Sequence, residues 1–194
     1  MPETRIAPPR LVEIAPRTHD VALDIRYAVA DNITGAPIYA SARLFLRPET
    51  EAHLKRAVKL AHAAGFSLLL FDGYRPPAAQ AKLWAACPDE RYVCPPHVGS
   101  THTRGIALDL TLARHGRPLD MGTPFDDMSE ASHPASTAIA AEALRNRLVL
   151  AGIMGAAGFE PIETEWWHFQ LPGEWPLLEA ELLPGGERAL MRKT

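Results

Sequence analysis

This chain lacks most of the signals from which an activity is read directly. Its 194 residues include only two cysteines, Cys87 and Cys94, separated by six residues. That spacing is neither a CxxC redox pair nor a zinc knuckle. Free thiols in a reducing compartment are expected, a short disulfide across the loop being the alternative. No apolar run nears the roughly 18 residues of a membrane-spanning helix. The first ten residues, Met-Pro-Glu-Thr-Arg-Ile-Ala-Pro-Pro-Arg, hold no apolar stretch of the secretory type, and a cytoplasmic location is the resulting expectation. No basic cluster interleaved with aromatics occurs, and a formal net charge of −3 argues against nucleic acid or an anionic membrane as partner. Also missing are a glycine-rich phosphate loop behind a strand, a regular βαβ rhythm and any internal repeat.

What is present reads as one globular domain over residues 1–194, with 1–20 an irregular Pro-rich lead-in and 172–194 a tail. Apolar residues make up 47% and charged residues 22%, enough for a buried core without disulfide staples. Val21–Tyr27 alternates like a half-buried strand. Residues 50–64 follow a helical period, with Leu54, Val58 and Ala61 on one face and His53 and His62 on a solvated one. Phe66–Phe71 is a buried strand, Pro77–Ala86 a short helix, Arg114–Leu119 a turn, and 121–133 a long acidic loop. Residues 136–157 form the longest predicted helix. Its expected apolar stripe is Ala140, Leu144, Leu148 and Ala151, with Glu142, Arg145 and Arg147 solvated. Glu165–Gln170 is aromatic enough for a strand. Helices and strands mixed in this order predict an α+β fold with helices packed on a mainly antiparallel sheet.

The chemistry gathers around Ser100-Thr-His-Thr-Arg-Gly-Ile-Ala-Leu-Asp109. Asp109 lies in an alternating run, Ile106, Leu108, Leu110 and Leu112 on one face and Ala107, Asp109 and Thr111 on the other. A carboxylate amid apolar residues is costly without a partner. A metal ion would be one, with His102 upstream of the Gly105 bend as a second ligand. Downstream, Glu165-Trp-Trp-His168 adds another histidine and a spare carboxylate, completing the parts of a catalytic zinc site. Spacing alone leaves other readings open. Either histidine could be an ordinary hydrogen-bonded residue, and Asp109 could cap a turn. In a strict strand Glu165 and His168 would point to opposite faces, so Glu165 must precede the strand or sit at a bulge to join the site. Arg75, at a strand end beside Gly73 and Pro76, is equally readable as an anion-directed guanidinium or as a surface ion pair.

Ser-x-His-x-x-Gly-x-Ala-x-Asp, with Asp72-Gly-Tyr-Arg-Pro76 before it and Glu165-Trp-Trp-His168 after it, resembles the D-alanyl-D-alanine dipeptidases. These are the enzymes associated with vancomycin resistance and are related to zinc D,D-carboxypeptidases. The likeness spans roughly residues 10–175 and includes Asp31-Asn-Ile-Thr-Gly35 and Gly122-Thr-Pro-Phe-Asp-Asp-Met128. It implies an α+β fold shared with the hedgehog signalling domain and one zinc ion per chain, ligated by His102, Asp109 and His168. It further implies Glu165 as general base and acid, Arg75 as transition-state stabiliser, and Ser100 and Asp126 as holders of the substrate ammonium. His133 and Trp167 are candidates for supporting the site, with plain packing the stronger reading of Trp167. The expected partner is a small dipeptide, D-Ala-D-Ala. The alternatives are a peptidoglycan D,D-carboxypeptidase, an L,D-endopeptidase or a non-catalytic zinc-binding module. Retention of both Glu165 and Arg75 argues against the last.

Overall fold

Residues 10–178 and 190–191 are described by a computed structural model of the chain. The first nine residues of the expected lead-in, and residues 179–189 and 192–194 of the expected tail, lie outside them. Within 10–20 the expectation of irregular chain is overturned. Strand β1 (Val12–Ile14) and helix α1 (Pro16–His19) form there, held by the buried side chains of Leu11 and Ile14. Val21, Ile25 and Tyr27 are buried in the expected alternation, yet only β2 (Ala22–Leu23) is strand. Asp24 N–H still donates to Leu70 O at 2.9 Å; the chain then winds into a 3₁₀ turn at Arg26–Ala28.

Strand β3 (Leu44–Leu46) pairs antiparallel with β1. Helix α2 (Pro48–Ala63) begins on a proline at its first turn, where the missing N–H costs nothing, and buries Leu54, Ala57, Val58 and Ala61. Strand β4 (Ser67–Asp72) and helix α3 (Pro77–Ala86) follow the expected bounds closely. Cys87, just after α3, and Cys94 are free thiols. Strand β5 (Ala107–Arg114) turns through His115 and Gly116, both at positive φ, into β6 (Arg117–Pro118), the two-residue hairpin geometry that suits sheet twist. Helix α4 (Ala141–Ala157), β7 (Glu160–Pro161) and β8 (His168–Gln170) complete the described chain.

The main sheet runs β2-β4-β5-β8-β7, with β6 beside β5. Only the β2–β4 pair is parallel, so the fold is α+β on a mainly antiparallel sheet, as expected. Central β5 is buried on both faces, from Ala107 through Ala113. Helices α2 and α4 pack on each other and on the sheet. His53 is not solvated: its ring hydrogen-bonds the Ala157 carbonyl at 2.8 Å and meets Phe159 edge-on, tying α2 to the end of α4.

The inner face of α4 differs from expectation. Leu148 is 59% exposed, while Ala143, Leu150, Ile153, Met154 and Ala157 are buried, together with Arg147 at 2%. This helix carries apolar residues on nearly every side, so periodicity does not select a face. Among the described residues no helix is long and apolar enough to cross a membrane.

Candidate metal centre and active site

The sheet register lines up the acidic and basic side chains of the site. Asp72 on β4 is the cross-strand partner of Asp109 on β5, and Asp109 is the partner of His168 on β8. Directly opposed residues share a face, so three polar side chains stand in a row across the sheet. His102 joins them from the turn before β5. Gly105 closes that turn at φ +70, its N–H donating to His102 O at 2.9 Å. A β-carbon there would press on Leu178 at 3.0 Å and Arg47 at 3.1 Å. The Gly105 carbonyl accepts from Thr50 Oγ at 2.8 Å and from Arg47 N–H at 3.2 Å, so the start of α2 grips the turn that carries His102.

Both imidazoles are oriented by a partner on their far nitrogen. His102 Nδ1 donates to Gly73 O at 2.8 Å, and His168 Nε2 donates to Gln170 Oε1 at 3.1 Å. The remaining nitrogens are thereby left as lone-pair donors. His102 Nε2 and His168 Nδ1 lie 3.1 Å apart, and stand 3.3 Å and 3.2 Å from Asp109 Oδ1. A tetrahedral zinc site with bonds near 2.0–2.1 Å spaces its donors about 3.3 Å apart. All three side chains are buried. Three converging lone pairs repel one another unless a cation lies between them, so the donor set fits a zinc ion. Without metal, burial would raise the Asp109 pKa, but the two histidines hold it well below the usual carboxylate range. Burial holds that of His102 down.

Glu165 lies in the turn just before β8, which resolves the strand-parity problem. Its Oε2 is 3.9 Å from His168 Nδ1. Burial pushes its pKa up to about 8, with His168 opposing and Asp109 adding to the rise.

Arg75 is no surface ion pair. It is buried, with Nε donating to Asp72 Oδ2 at 2.9 Å, Nη1 to Gln80 Oε1 at 3.1 Å and Nη2 to Asp109 Oδ2 at 3.4 Å. Its guanidinium also lies 5.0 Å from the centre of the Tyr27 ring. Those bonds engage one N–H on each nitrogen, and a guanidinium has five.

A cavity of about 470 Å³ opens over this cluster and is lined by Arg75, Ser100, Asp126, Glu165 and the His102, Asp109 and His168 side chains. Asp126, in the left-handed region at φ 63, accepts from Tyr27 OH at 3.0 Å and from Ile33 N–H at 3.3 Å. Burial raises its pKa to about 7, against the lowering effect of the Tyr27 hydrogen bond. Ser100 Oγ accepts the His102 N–H at 3.1 Å.

The structure thus brings together His102, Asp109, His168, Glu165, Arg75, Ser100 and Asp126. His133 is not among them: it is absent from the cavity lining, and its carbonyl is bonded to Arg147. Trp167 is buried, packs edge-on against Phe125 and Trp166, and also lines the cavity. Tyr27, Asp72, Gln80 and Gln170 also surround the site. Asp72 adjoins the Gly-Tyr-Arg turn and could have been found there; the other three reach the site only through tertiary contacts.

A family model described as D-ala-D-ala dipeptidase matches residues 9–182. The D-alanyl-D-alanine dipeptidase of Escherichia coli (strain K12) is 47% identical over 171 residues, covering 87% of this chain and 89% of the relative. That of Enterococcus faecium is 39% identical over 180 residues, covering 80% of this chain and 88% of the relative. Among solved structures, VanYB in complex with D-alanine-D-alanine is similar at 16% identity and a TM-score of 0.44, over 67% of this chain and 73% of that one.

Proposed function

Because the chain belongs to the D-ala-D-ala dipeptidase family, we propose that it hydrolyses D-Ala-D-Ala to two D-alanines at the His102, Asp109 and His168 cluster, with one zinc ion held there. The spacing of the three donor atoms, 3.1 to 3.3 Å, carries this reading. A bound zinc ion would supply Lewis-acid polarisation and a water acidified toward neutrality.

The protein's own groups account for the rest. Glu165, buried beside His168, takes the proton of the attacking water and delivers it to the leaving amine. Arg75 is fixed on three sides at the cavity wall and offers its positive charge to the oxyanion that forms on the scissile carbonyl. Asp126 and Ser100 receive the free ammonium of the substrate. An acylated nitrogen would offer the buried Asp126 carboxylate no cation beside its Tyr27 and Ile33 hydrogen bonds, a loss of about 1–3 kcal/mol. That penalty supports a dipeptidase over a carboxypeptidase acting on longer stems.

Turnover of D-Ala-D-Ala and of its N-acetyl derivative by the zinc-loaded protein, with a chelator control, tests the proposal. The expected result is cleavage of the free dipeptide alone, abolished by chelation. Cleavage of the acylated substrate would remove the ammonium role of Asp126, and cleavage that persists after metal removal would remove the zinc site.

A further inference from the structure

Arg147 is a buried guanidinium with no carboxylate within ion-pair distance among the described residues. Its hydrogen bonds all run to one loop. Nε donates to Met121 O at 2.6 Å, Nη1 to Ala131 O and His133 O at 2.8 Å each, and Nη2 to Thr123 Oγ at 3.3 Å. These acceptors lie at the two ends of residues 121–133, and Asp126 sits between them. The same Thr123 hydroxyl accepts from Trp166 Nε1 at 2.9 Å and bonds Ser132 Oγ at 2.9 Å, while Trp166 N–H donates to Ser132 O at 3.0 Å. Neighbouring Asn146 holds Asp120 O at 2.8 Å. An apolar side chain in its place would leave three carbonyl acceptors and the Thr123 hydroxyl without this donor, so Arg147 also supports the fold. A planar fork that satisfies several carbonyls at once does something an apolar residue cannot: it fixes where two stretches of backbone meet.

We propose that Arg147 is a positioning residue for the dipeptidase reaction, drawing the two ends of the 121–133 loop together so that Asp126 is presented to the substrate ammonium. The inference rests on the reading of Asp126 given above. The hydrogen bonds of Arg147 do not reach Arg75, Glu165 or the metal ligands, and on that side its guanidinium meets the Trp166 ring, 5.8 Å to the centroid.

The test is steady-state kinetics of zinc-loaded Arg147→Met on D-Ala-D-Ala. KM is expected to rise about tenfold or more while kcat falls less than about threefold, the signature of lost substrate binding rather than lost transition-state contacts. Methylguanidinium added to Arg147→Ala should bring KM back toward the wild-type value and leave wild type unchanged. Should Arg147→Met fail to fold, Trp166→Phe keeps the ring but removes the bond to Thr123, and KM should rise in the same direction by a smaller factor. An unchanged KM, with activity lost only in proportion to the unfolded fraction, would overturn the inference and leave Arg147 a plain packing residue. Asp126→Asn is the separate control: if its KM is unchanged while that of Arg147→Met rises, the loop clip stands and the ammonium role of Asp126 fails.

Discussion

Two carboxylates in the cavity have different proposed tasks, proton transfer for Glu165 and a fixed charge for Asp126, and single substitutions separate them. Glu165→Gln keeps the volume and hydrogen-bonding shape but cannot shuttle a proton. It should lose about 10²–10⁴-fold in kcat while binding zinc at the wild-type stoichiometry, measured by elemental analysis of the dialysed protein. In its proposed role Asp126 must be ionised to receive an ammonium, and burial pushes its pKa up to about 7. KM for D-Ala-D-Ala should therefore rise as pH falls through about 7, a limb that disappears in Asp126→Asn. Linkage adds an independent readout in the metal-free protein. The folded pKa of Asp126 exceeds the ordinary 3.8, so between those values the folded state binds the extra proton. Its contribution to stability is complete below the unfolded value and is lost as pH rises toward 7. Urea midpoints of apo wild type and Asp126→Asn across that window should converge at low pH and separate at high pH, with the variant the more stable.

At the scale of elements, β5 and the turn before it decide where the donors meet. The burial of Asp109, the proximity of His102 and the alternation around them were legible from the sequence, because a strand with one acidic residue among Leu, Ala and Ile marks that residue out. The opposition of Asp109 to His168 was not legible, since cross-strand register joins residues far apart in the chain. The face of α4 was not legible for the contrary reason: with apolar residues nearly all round, local pattern contains no direction, and only contact with α2 and the sheet chooses one. Gly105 is the element-level weak point. Gly105→Ala places a side chain at φ +70 against Leu178 and Arg47, at a cost of about 1–2 kcal/mol from backbone conformation alone. It should lower the denaturation midpoint and weaken zinc binding together, because the His102 turn moves with it. Equilibrium unfolding and a competitive zinc titration on the same variant check both effects.

For the whole molecule, the metal would act as a staple across elements distant in sequence: the 100–105 turn, β5 and β8. Zinc that binds only the folded arrangement stabilises it by RT ln(1 + [Zn]/Kd), about 4 kcal/mol at a thousandfold excess over Kd. A thermal scan of the chelator-treated protein should show a lower Tm that returns on adding zinc. The same addition should leave the Tm of a His102→Ala, His168→Ala double variant unmoved. An equal zinc response in that variant would place the metal elsewhere on the chain.

Local sequence determined the alternation that buries Asp109, most helix and strand spans, the glycine at the His102 turn, and the motifs by which the family is recognised. Each of these depends on neighbours within a few residues, where side-chain period and backbone preference act directly. Tertiary structure alone decided that β1 pairs with β3, that His53 and Arg147 turn inward, and that Arg75 is gripped by Asp72, Gln80 and Asp109 instead of lying at the surface. It also brought Tyr27 to Asp126, a hydrogen bond across 99 positions of sequence. Buried polar groups must find partners wherever the packed chain offers them, and those partners are set by how strands and helices assemble rather than by the residues on either side.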